Sequence, residues 1–295
     1  MVALLALGGC GESGYEPDED VPEGYTRYRT NPVDLGPGES GLWFQWVAAP
    51  SDRPLDIVDI RGSQSIGGHH ALLMSTTDIQ EVGYTRAYDN TDLLSSHIFG
   101  GVGGPDGEPL APPPGVVFRV PAGQALVVQT HYLNTSDQTI RGESVLDIKT
   151  VESSDAHTVA SQFTMTSLAI DVIPGGQTQL QTDCVIPRDV ELVMWTNHMH
   201  DLGTMQLTEL AVGDELTTIK SDPVWDYEWS FNPNFEQRTP DDALILPAGS
   251  TLRTSCTWLN ETGSTVVFPD EMCVFFGYYL GTADLYCVDG DVIDG

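Results

Sequence analysis

The chain has 295 residues, with 12 lysines and arginines against 43 aspartates and glutamates, which gives a net charge of −31 at pH 7. Such an excess of negative charge excludes a nucleic-acid-binding protein that works through phosphate contacts. Because 40% of the residues are hydrophobic, the chain can fill a core, and the acidity belongs to its surface. No run of about 18 apolar residues occurs, so a membrane-spanning helix of the usual kind is not expected.

The N-terminal stretch is apolar and ends in Leu7-Gly8-Gly9-Cys10, which resembles a bacterial lipobox. Small residues before a cysteine suit a signal peptidase, and a lipid on Cys10 would hold the protein at a membrane surface. The alternative is a disordered N-terminus with an incidental thiol. We therefore predict that residues 1–24 are a signal remnant and an acidic tether, and that the protein is a lipoprotein of the bacterial cell envelope.

The pattern of apolar residues predicts the fold class. From about Tyr25 onward, short alternating apolar runs are interrupted every eight to twelve residues by Gly, Pro, Asn or Asp. This spacing predicts an all-β fold of the sandwich or jelly-roll type, without amphipathic helices longer than two turns. Pro-Ala-Gly turns at residues 121–123 and 247–249 each lead into a strand, which favours two similar β domains. We predict an N-terminal domain over residues 25–152 and a C-terminal domain over 153–295.

Four of the seven histidines fall in two tight groups, His69-His70 and His198-Met199-His200. If the apolar run before His198 continues as a strand, His198 and His200 lie on one face and can share a metal. On a regular strand His69 and His70 face opposite ways, so sharing a metal would require a strand end, a bulge or the use of different ring nitrogens. The preceding Gly67-Gly68 supplies the backbone freedom for this. For each group the alternative is a solvated pair of side chains without a ligand role.

The identity of a metal depends on the softness of its ligands. Two histidines and a carboxylate suit zinc or non-haem iron, whereas a methionine thioether selects copper, in particular Cu(I). Met272 offers such a thioether at the start of a predicted strand. Four motifs then follow one another along the chain: Gly68-His69-His70-Ala71-Leu72-Leu73, Gln129-Thr130-His131-Tyr132, His198-x-His200-x-Leu202-Gly203 and Asp270-Glu271-Met272-Cys273.

In order and spacing, this set resembles the copper type II, ascorbate-dependent monooxygenases, the family of peptidylglycine α-hydroxylating monooxygenase and dopamine β-monooxygenase. The resemblance covers about residues 30 to 288, and it implies two antiparallel jelly-roll domains in tandem with a cleft between them. Each domain would hold one copper ion. The implied ligands are His69, His70 and His131 for the electron-storing copper, and His198, His200 and Met272 for the oxygen-binding, catalytic copper.

The cysteines after residue 183 are four in number, and in an oxidising compartment they are most simply two disulfides. The family resemblance implies the pairs Cys184–Cys287 and Cys256–Cys273. The disulfides that the family carries in its first domain have no counterpart, because residues 11–183 contain no cysteine.

The resemblance implies an enzyme that inserts one oxygen atom of O₂ into a C–H bond, while the other leaves as water and an external reductant such as ascorbate supplies two electrons. The expected partners are a small-molecule substrate, O₂ and the reductant. We expect a monomer that meets the membrane only through its lipid. Two alternatives remain open: a copper carrier on the same fold without turnover, and an adhesion or carbohydrate-binding jelly roll whose histidines are incidental.

The chain departs from the family at the substrate pocket. In the peptidylglycine enzyme, an arginine two residues before the His-x-His motif, and an asparagine and a tyrosine after the ligand methionine, hold the substrate's carboxylate. Thr196, Val274 and Phe276 occupy these positions here. None of them can form a charge-assisted pair with a carboxylate. We therefore predict a pocket for a neutral, apolar or aromatic molecule, with Phe276 as its wall.

Other residues are less informative. His97 matches no ligand position and is predicted to line the cleft or to lie on the surface, and His157, beside the predicted domain boundary, is predicted to be solvated. Trp225 and Trp229 alternate with polar residues, which predicts a strand whose indole rings lie in the core or form a wall of the substrate pocket.

Overall fold

The computed structural model describes residues 20–89, 96–104, 109–230 and 232–294. Across these ranges the chain is nearly all β, as the alternating apolar runs predict. The helical segments there are two short 3₁₀ turns, Tyr227–Ser230 and Pro240–Asp242, and no described helix is long and apolar enough to cross a membrane. Cys10 and most of the predicted tether lie outside the described residues.

The strands up to residue 152 supply the first part of the fold. They are β1 (Tyr25–Arg29), β2 (Val33–Leu35), β3 (Ser40–Ala48), β4 (Leu55–Gln64), β5 (Gly68–Thr76), β6 (Thr85–Ala87), β7 (Ser96–Val102), β8 (Pro109–Leu110), β9 (Val117–Val120), β10 (Ala125–Leu133), β11 (Ile140–Gly142) and β12 (Ser144–Glu152).

The strands after residue 152 supply the second part. They are β13 (Val159–Thr166), β14 (Asp171–Val172), β15 (Gly176–Val185), β16 (Val190–His198), β17 (Gly203–Val212), β18 (Glu215–Asp222), β19 (Glu236–Gln237), β20 (Leu244–Leu246), β21 (Thr251–Asn260), β22 (Val266–Val267), β23 (Val274–Leu280), β24 (Leu285–Val288) and β25 (Asp291–Asp294).

One large sheet draws strands from both parts, in the order β1-β12-β4-β9-β13-β23-β16-β19, with β20 beside β16 and with β24 and β25 beyond β13. The junction between the parts is a short parallel pairing of β9 with β13, in which Val117 lies opposite Val159 and Phe118 opposite Ala160. The hydrogen-bonded sheet is therefore continuous across the predicted domain boundary.

A smaller sheet packs on each part of the large one. The six-stranded sheet β6-β3-β10-β5-β7-β8 belongs to the first part, and the four-stranded sheet β15-β21-β17-β18 to the second. Buried side chains such as Ile60 and Leu73 fill the space between the layers of the first part, and Phe163 and Leu252 do so in the second. This layered burial is the reason the sequence alternates between apolar and polar residues.

Strand pairing repeats between the two parts. Strand β10 lies between β3 and β5, just as β21 lies between β15 and β17, and β4 lies between β12 and β9, just as β16 lies between β23 and β20. Both Pro-Ala-Gly turns use a glycine with positive φ, 81° at Gly123 and 78° at Gly249. At the same distance beyond each turn, Asn134 and Asn260 donate to the carbonyls of Gln138 and Ser264. The repeated turn thus begins a repeated local structure.

The disulfides implied by the family resemblance are confirmed: Cys184 pairs with Cys287, and Cys256 with Cys273. The first bond joins β15 of the four-stranded sheet to β24 of the large sheet. The second joins β21 to the segment immediately before β23, next to Met272.

The strand predicted around Trp225 and Trp229 is wrong, because residues 227–230 form a 3₁₀ turn. The side chain of Asp226 accepts a hydrogen bond from the backbone N–H of Glu228, which favours a turn over an extended chain. The core position of Trp225 is confirmed, since its side chain is buried, packs edge-to-face on Trp229 and lies in one cluster with Met199.

Candidate metal centre

Three histidines converge at the start of β5 and the end of β10. His70 lies directly opposite His131, and the register shifts at this point so that Gly68 lies opposite Tyr132. His69 is therefore the additional residue of a β-bulge, which turns two consecutive side chains toward the same side of the sheet. One ligand atom from each of His69, His70 and His131 lies within 4.8 Å of the others. The bulge that a shared metal would require is present.

Neighbouring polar groups hold the rings. His70 Nε2 lies 3.0 Å from Gln129 Oε1, which can only accept a hydrogen bond, so Nε2 carries the hydrogen and Nδ1 keeps its lone pair. His70 Nδ1 faces His69 Nδ1 at 3.2 Å. His131 Nε2 lies 3.0 Å from the hydroxyl of Ser40, which orients the third ring. The hydrogen bonds thus fix the orientation of the rings of His70 and His131, and they leave Nδ1 of His70 with its lone pair.

The cluster keeps its histidines neutral. Burial lowers the pKa of His70 to about 4, and burial with the repulsion of His70 and His200 lowers the pKa of His131 to about 3. Burial, followed by repulsion from the neighbouring imidazoles, also lowers the pKa of His69. A neutral imidazole is the form that binds a metal, so the cluster has its ligands ready at neutral pH.

The second histidine group lies where β16 ends. The strand ends at His198 instead of continuing through His200, so the condition on which a common strand face was predicted is not met. The two rings are nevertheless neighbours, with centroids 5.1 Å apart and planes at 90°. Met199 between them is completely buried in the core beside Trp225 and Trp258, which leaves the flanking histidines on the other side of the backbone. Burial, with repulsion from His200 and His70, lowers the pKa of His198.

The segment before β23 lies against this histidine turn. The ring nitrogen Nδ1 of His200 donates to the carbonyl of Asp270 at 3.1 Å, and this leaves Nε2 with its lone pair. The backbone N–H of His200 donates to Glu271 at 3.2 Å. Met272, the implied thioether ligand, directly follows Glu271 in this segment. The structure therefore brings the segment that carries Met272 next to the turn that carries His200.

The two histidine groups, one from each part of the fold, interact electrostatically. A positive charge on His200 disfavours protonation of His69, His70 and His131 alike, and His198 acts on His69 in the same way. The two histidine groups, which belong to different parts of the fold, therefore influence one another's protonation.

The three predicted pocket residues lie on one face of the large sheet. Thr196 pairs with Phe276 across β16 and β23, and His198 pairs with Val274. Because side chains alternate along a strand, these four share the face that carries His198. Phe276 packs on Phe235 and Tyr278, and it also contacts an apolar cluster of the first part and a larger cluster shared by both parts. The hydroxyl of Thr196 is buried and lies within hydrogen-bonding distance of the carbonyls of Asn197 and Asn234.

The remaining histidines have structural contacts. His157 is not simply solvated as predicted: its Nδ1 lies 2.6 Å from Oδ2 of Asp56, a carboxylate that is fully buried. His97 lies 2.6 Å from Oδ1 of Asp284 and so joins β7 to the loop before β24. Its backbone neighbour Ile98 accepts a hydrogen bond from the hydroxyl of Tyr278. His97 is therefore a contact between the two parts of the fold.

Sequence reasoning missed the roles of Gln129, Ser40 and Glu271. Gln129 could have been found, because it precedes His131 by two residues on the same strand and hence lies on the same face. Ser40 and Glu271 reach the histidines through contacts distant in sequence, which no local pattern contains.

Comparisons with known proteins add little to this picture. No family model and no curated protein matches the chain. The chain is similar to the major capsid protein P2 of bacteriophage PM2, with 9% identity over 87% of this chain and 97% of that one, and a TM-score of 0.34. The infectious bursal disease virus Gx strain structure has 10% identity over 90% and 75% of the two chains, and a TM-score of 0.20. Likenesses at this level carry no argument about function.

Proposed function

We propose that this chain is a copper-dependent monooxygenase that hydroxylates a C–H bond of a neutral small molecule with O₂ and an external reductant such as ascorbate. The observation that carries the proposal is the convergence of His69, His70 and His131 at a bulge between β5 and β10. The proposal also rests on the family resemblance of the four motifs, in which this convergence would be the electron-storing site.

The residues fit a metal of this kind. Metal–imidazole bonds of about 2.0–2.1 Å allow two ligand nitrogens on one ion to lie at most about 4.2 Å apart. Since the three ligand atoms already lie within 4.8 Å of one another, a shift of about 0.6 Å would be sufficient. Imidazole suits copper, zinc, iron and nickel, whereas the thioether of Met272 favours copper among them. When bound, two copper ions would supply one-electron redox chemistry and a binding position for O₂.

The chain's own residues would orient the reaction. Gln129 and Ser40 hold the rings of the first site, and the carbonyl of Asp270 holds the ring of His200. Val274 and Phe276, on the face of His198, would supply an apolar surface for the substrate. The five histidines of the two groups would serve as ligands, and none of them is assigned the role of a general base.

We also propose that the fold consists of two jelly-roll units in tandem, residues 25–152 and 153–295, with the substrate cleft between them. The repeated strand pairing supports this division, since each smaller sheet takes strands from one unit alone. The two histidine groups border equivalent connections: His69 and His70 lie at the start of β5, directly after the connection from β4, and His198 lies at the end of β16, directly before the connection to β17. The large sheet and a core cluster shared by Val193, Met194 and Tyr278 would join the units.

The decisive experiment is copper reconstitution of the metal-free chain, followed by oxygen-electrode measurements with ascorbate and candidate substrates. We expect two copper ions per chain and oxygen uptake matched by hydroxylated product. His131→Asn should lower the stoichiometry to one copper, whereas the control His157→Asn should leave it at two. Copper binding without turnover would identify a carrier, and the absence of copper binding would favour an adhesion or carbohydrate-binding protein.

The methionine ligand has its own test. Met272→Ile removes the thioether while nearly keeping the volume of the side chain, so the fold and the first copper should be retained. Substrate oxidation should fall to background. Normal turnover of this variant would contradict the assignment of the second site.

The substrate class follows from the pocket residues. The buried hydroxyl of Thr196 lies against backbone carbonyls, and Val274 and Phe276 offer no charge to a carboxylate. Burial of an unpaired carboxylate costs several kcal/mol, so peptides that end in glycine should not be substrates. A panel of neutral aromatic molecules assayed beside a glycine-extended peptide would test this. Efficient peptide hydroxylation would contradict the proposed pocket.

The proposed location is the bacterial cell envelope, with a lipid on Cys10. A body with a net charge of −31 has little electrostatic attraction to anionic lipid, so the lipid would carry the attachment. Cys10→Ser should move the protein from the membrane fraction to the soluble fraction with unchanged copper binding. Unchanged membrane association would mean another form of attachment.

A further inference from the structure

Glu271 is a buried carboxylate directly beside the proposed ligand Met272. Its side chain is 1% exposed. Its hydrogen-bond partners among the described residues are N–H groups: the backbone N–H of Leu202 at 2.6 Å, of His200 at 3.2 Å and of Met272 at 3.3 Å, and the indole Nε1 of Trp258 at 2.8 Å. Burial raises the pKa of this carboxyl group, and the N–H donors act in the opposite direction.

The two carboxylate oxygens join separate segments of the chain. Oε1 accepts from Leu202, while Oε2 accepts from His200, Trp258 and Met272. The turn after β16, the strand β21 and the segment before β23 therefore meet at a single side chain. An apolar residue could fill the same volume but could not satisfy these donors, and an unpaired buried N–H is costly.

Two further contacts add to this junction. The carbonyl of Asp270 accepts from the imidazole of His200, and the disulfide of Cys273 fixes the other end of the segment to β21. Three of the four residues 270–273 thus hold the segment in place: Asp270 through the ring of His200, Glu271 through the turn and Cys273 through a covalent bond. Met272, between them, is the residue whose thioether is the proposed ligand.

We infer that Glu271 is a positioning residue for the second copper site. Its carboxylate holds the His200 turn against the Met272 segment, so that an imidazole and a thioether from distant parts of the sequence reach one ion. The inference rests on the proposed function, because it requires that a metal binds there. Groups that orient metal ligands typically change the affinity about 10-fold to 100-fold when removed.

The test compares copper binding to wild type, Glu271→Gln and Asp147→Asn. Glu271→Gln keeps the size of the side chain but turns an amide N–H₂ toward N–H donors. Asp147→Asn is a matched control, because Asp147 is a fully buried carboxylate that pairs with Arg27 in the first part. Copper affinity is measured by competition titration, and X-ray absorption of the Cu(I) protein reports the sulfur ligand.

We expect Glu271→Gln to weaken the second copper about 10-fold to 100-fold, to lose the sulfur signal and to retain the first copper. Asp147→Asn should keep both copper ions and the sulfur signal even where it lowers thermal stability. If Glu271→Gln does not fold, Glu271→Asp is used instead: its shorter carboxylate cannot reach all four donors, and a smaller loss of affinity is expected.

The outcomes separate the inference from the proposed function. Loss of the sulfur signal and of the second copper alone supports the positioning role. A folded Glu271 variant with wild-type affinity and sulfur signal overturns that role and leaves the proposed function standing. A wild-type protein whose bound copper has no sulfur ligand overturns both.

Discussion

Gln129 determines which nitrogen of His70 can bind a metal. Its Oε1 accepts a hydrogen bond from Nε2 of the ring. Gln129 lies two residues before His131 on β10, so both side chains project from the same face of the sheet. An apolar side chain of similar shape would pack at this position as well as glutamine does. The amide oxygen is therefore the feature that acts on the metal centre.

Gln129→Leu should weaken the first copper about 10-fold to 100-fold, because the ring of His70 loses the group that fixes its tautomer and orientation. The measurement is a competition titration for copper. Gln45→Leu is a suitable control, since Gln45 is a buried glutamine on the neighbouring strand β3 that bonds Thr85 and Asn31 instead of a histidine. Equal copper affinity for the Gln129 variant and wild type would contradict this role.

The stability of the metal-free chain should fall as the pH decreases below about 6.5. In the unfolded chain a histidine has a pKa of 6.5, whereas burial lowers it to about 4 for His70 and about 3 for His131. Well above pH 6.5 these histidines are neutral in both the folded and the unfolded state, so they add no pH dependence to the free energy of unfolding. Between 6.5 and 4 the unfolded state binds the extra protons, so the free energy of unfolding decreases.

We expect this loss to be on the order of 1 kcal/mol for each histidine between pH 6.5 and 5. His131→Asn should reduce the slope of the free energy of unfolding against pH, as measured by denaturant titration without metal. The difference between variant and wild type is used because protonation of the many carboxylates affects both alike. An equally steep slope in the variant would contradict the proposed cause.

At the scale of elements, the pairing of β4 with β9 is tied to the linker between the two parts. Asp56 lies opposite Arg119 in the register, and the guanidinium makes two hydrogen bonds to its carboxylate at 2.7 and 2.9 Å. Arg119 also donates to the carbonyl of Ser154, and His157 contacts the same carboxylate. The pKa of Asp56 is lowered, because these hydrogen bonds together outweigh its burial.

Arg119→Met should lower the free energy of unfolding by about 3 kcal/mol or more, since it leaves the buried carboxylate of Asp56 without its main partner. Arg53→Met is the control: Arg53 pairs with Glu152 at 3.0 Å, but both side chains are largely exposed. The loss of such a surface pair costs less than about 1 kcal/mol. Denaturant unfolding measures both. Similar decreases in the free energy of unfolding for the two variants would contradict the expected effect of the buried Asp56 carboxylate.

At the scale of the whole molecule, the two parts are joined by backbone pairing, by core packing and by polar side-chain contacts. The large sheet crosses between them at β9 and β13, Tyr278 packs into the core of the first part, and its hydroxyl donates to Ile98. The contact of 2.6 Å between Nδ1 of His97 and the carboxylate of Asp284 adds a polar link. The relative position of the two histidine groups is therefore fixed by a continuous sheet and a shared core.

The two disulfides should contribute unequally to stability. The bond between Cys184 and Cys287 closes a loop of 103 residues, and the bond between Cys256 and Cys273 a loop of 17. A cross-link restricts the unfolded chain more when its loop is longer, which predicts about 4.7 kcal/mol for the first bond and about 3 kcal/mol for the second.

Replacement of each pair by two alanines, followed by denaturant unfolding, measures these losses. All four cysteines are buried, so the volume removed is the same and the comparison isolates the loop length. A larger loss for the pair Cys256 and Cys273 would contradict the entropic explanation.

The sequence by itself determined the class of the fold, and the family resemblance implied the members of the first cluster. Alternating apolar residues can bury one face of a strand only in a layered β fold, and the Gly67-Gly68 pair before His69 permitted the bulge that aligns His69 with His70. The pairing of the cysteines followed from the family resemblance, and the structure has the same pairs.

Only the tertiary structure decided the contacts between segments distant in sequence. The hydrogen bonds of Ser40 and Glu271 and the contact of His157 with Asp56 join groups about 70 to 100 residues apart in the sequence. The continuity of the large sheet likewise depends on two short strands that meet across the linker. Local patterns report which face of a strand is buried, whereas the partner of a polar group is set by the packing of the whole chain.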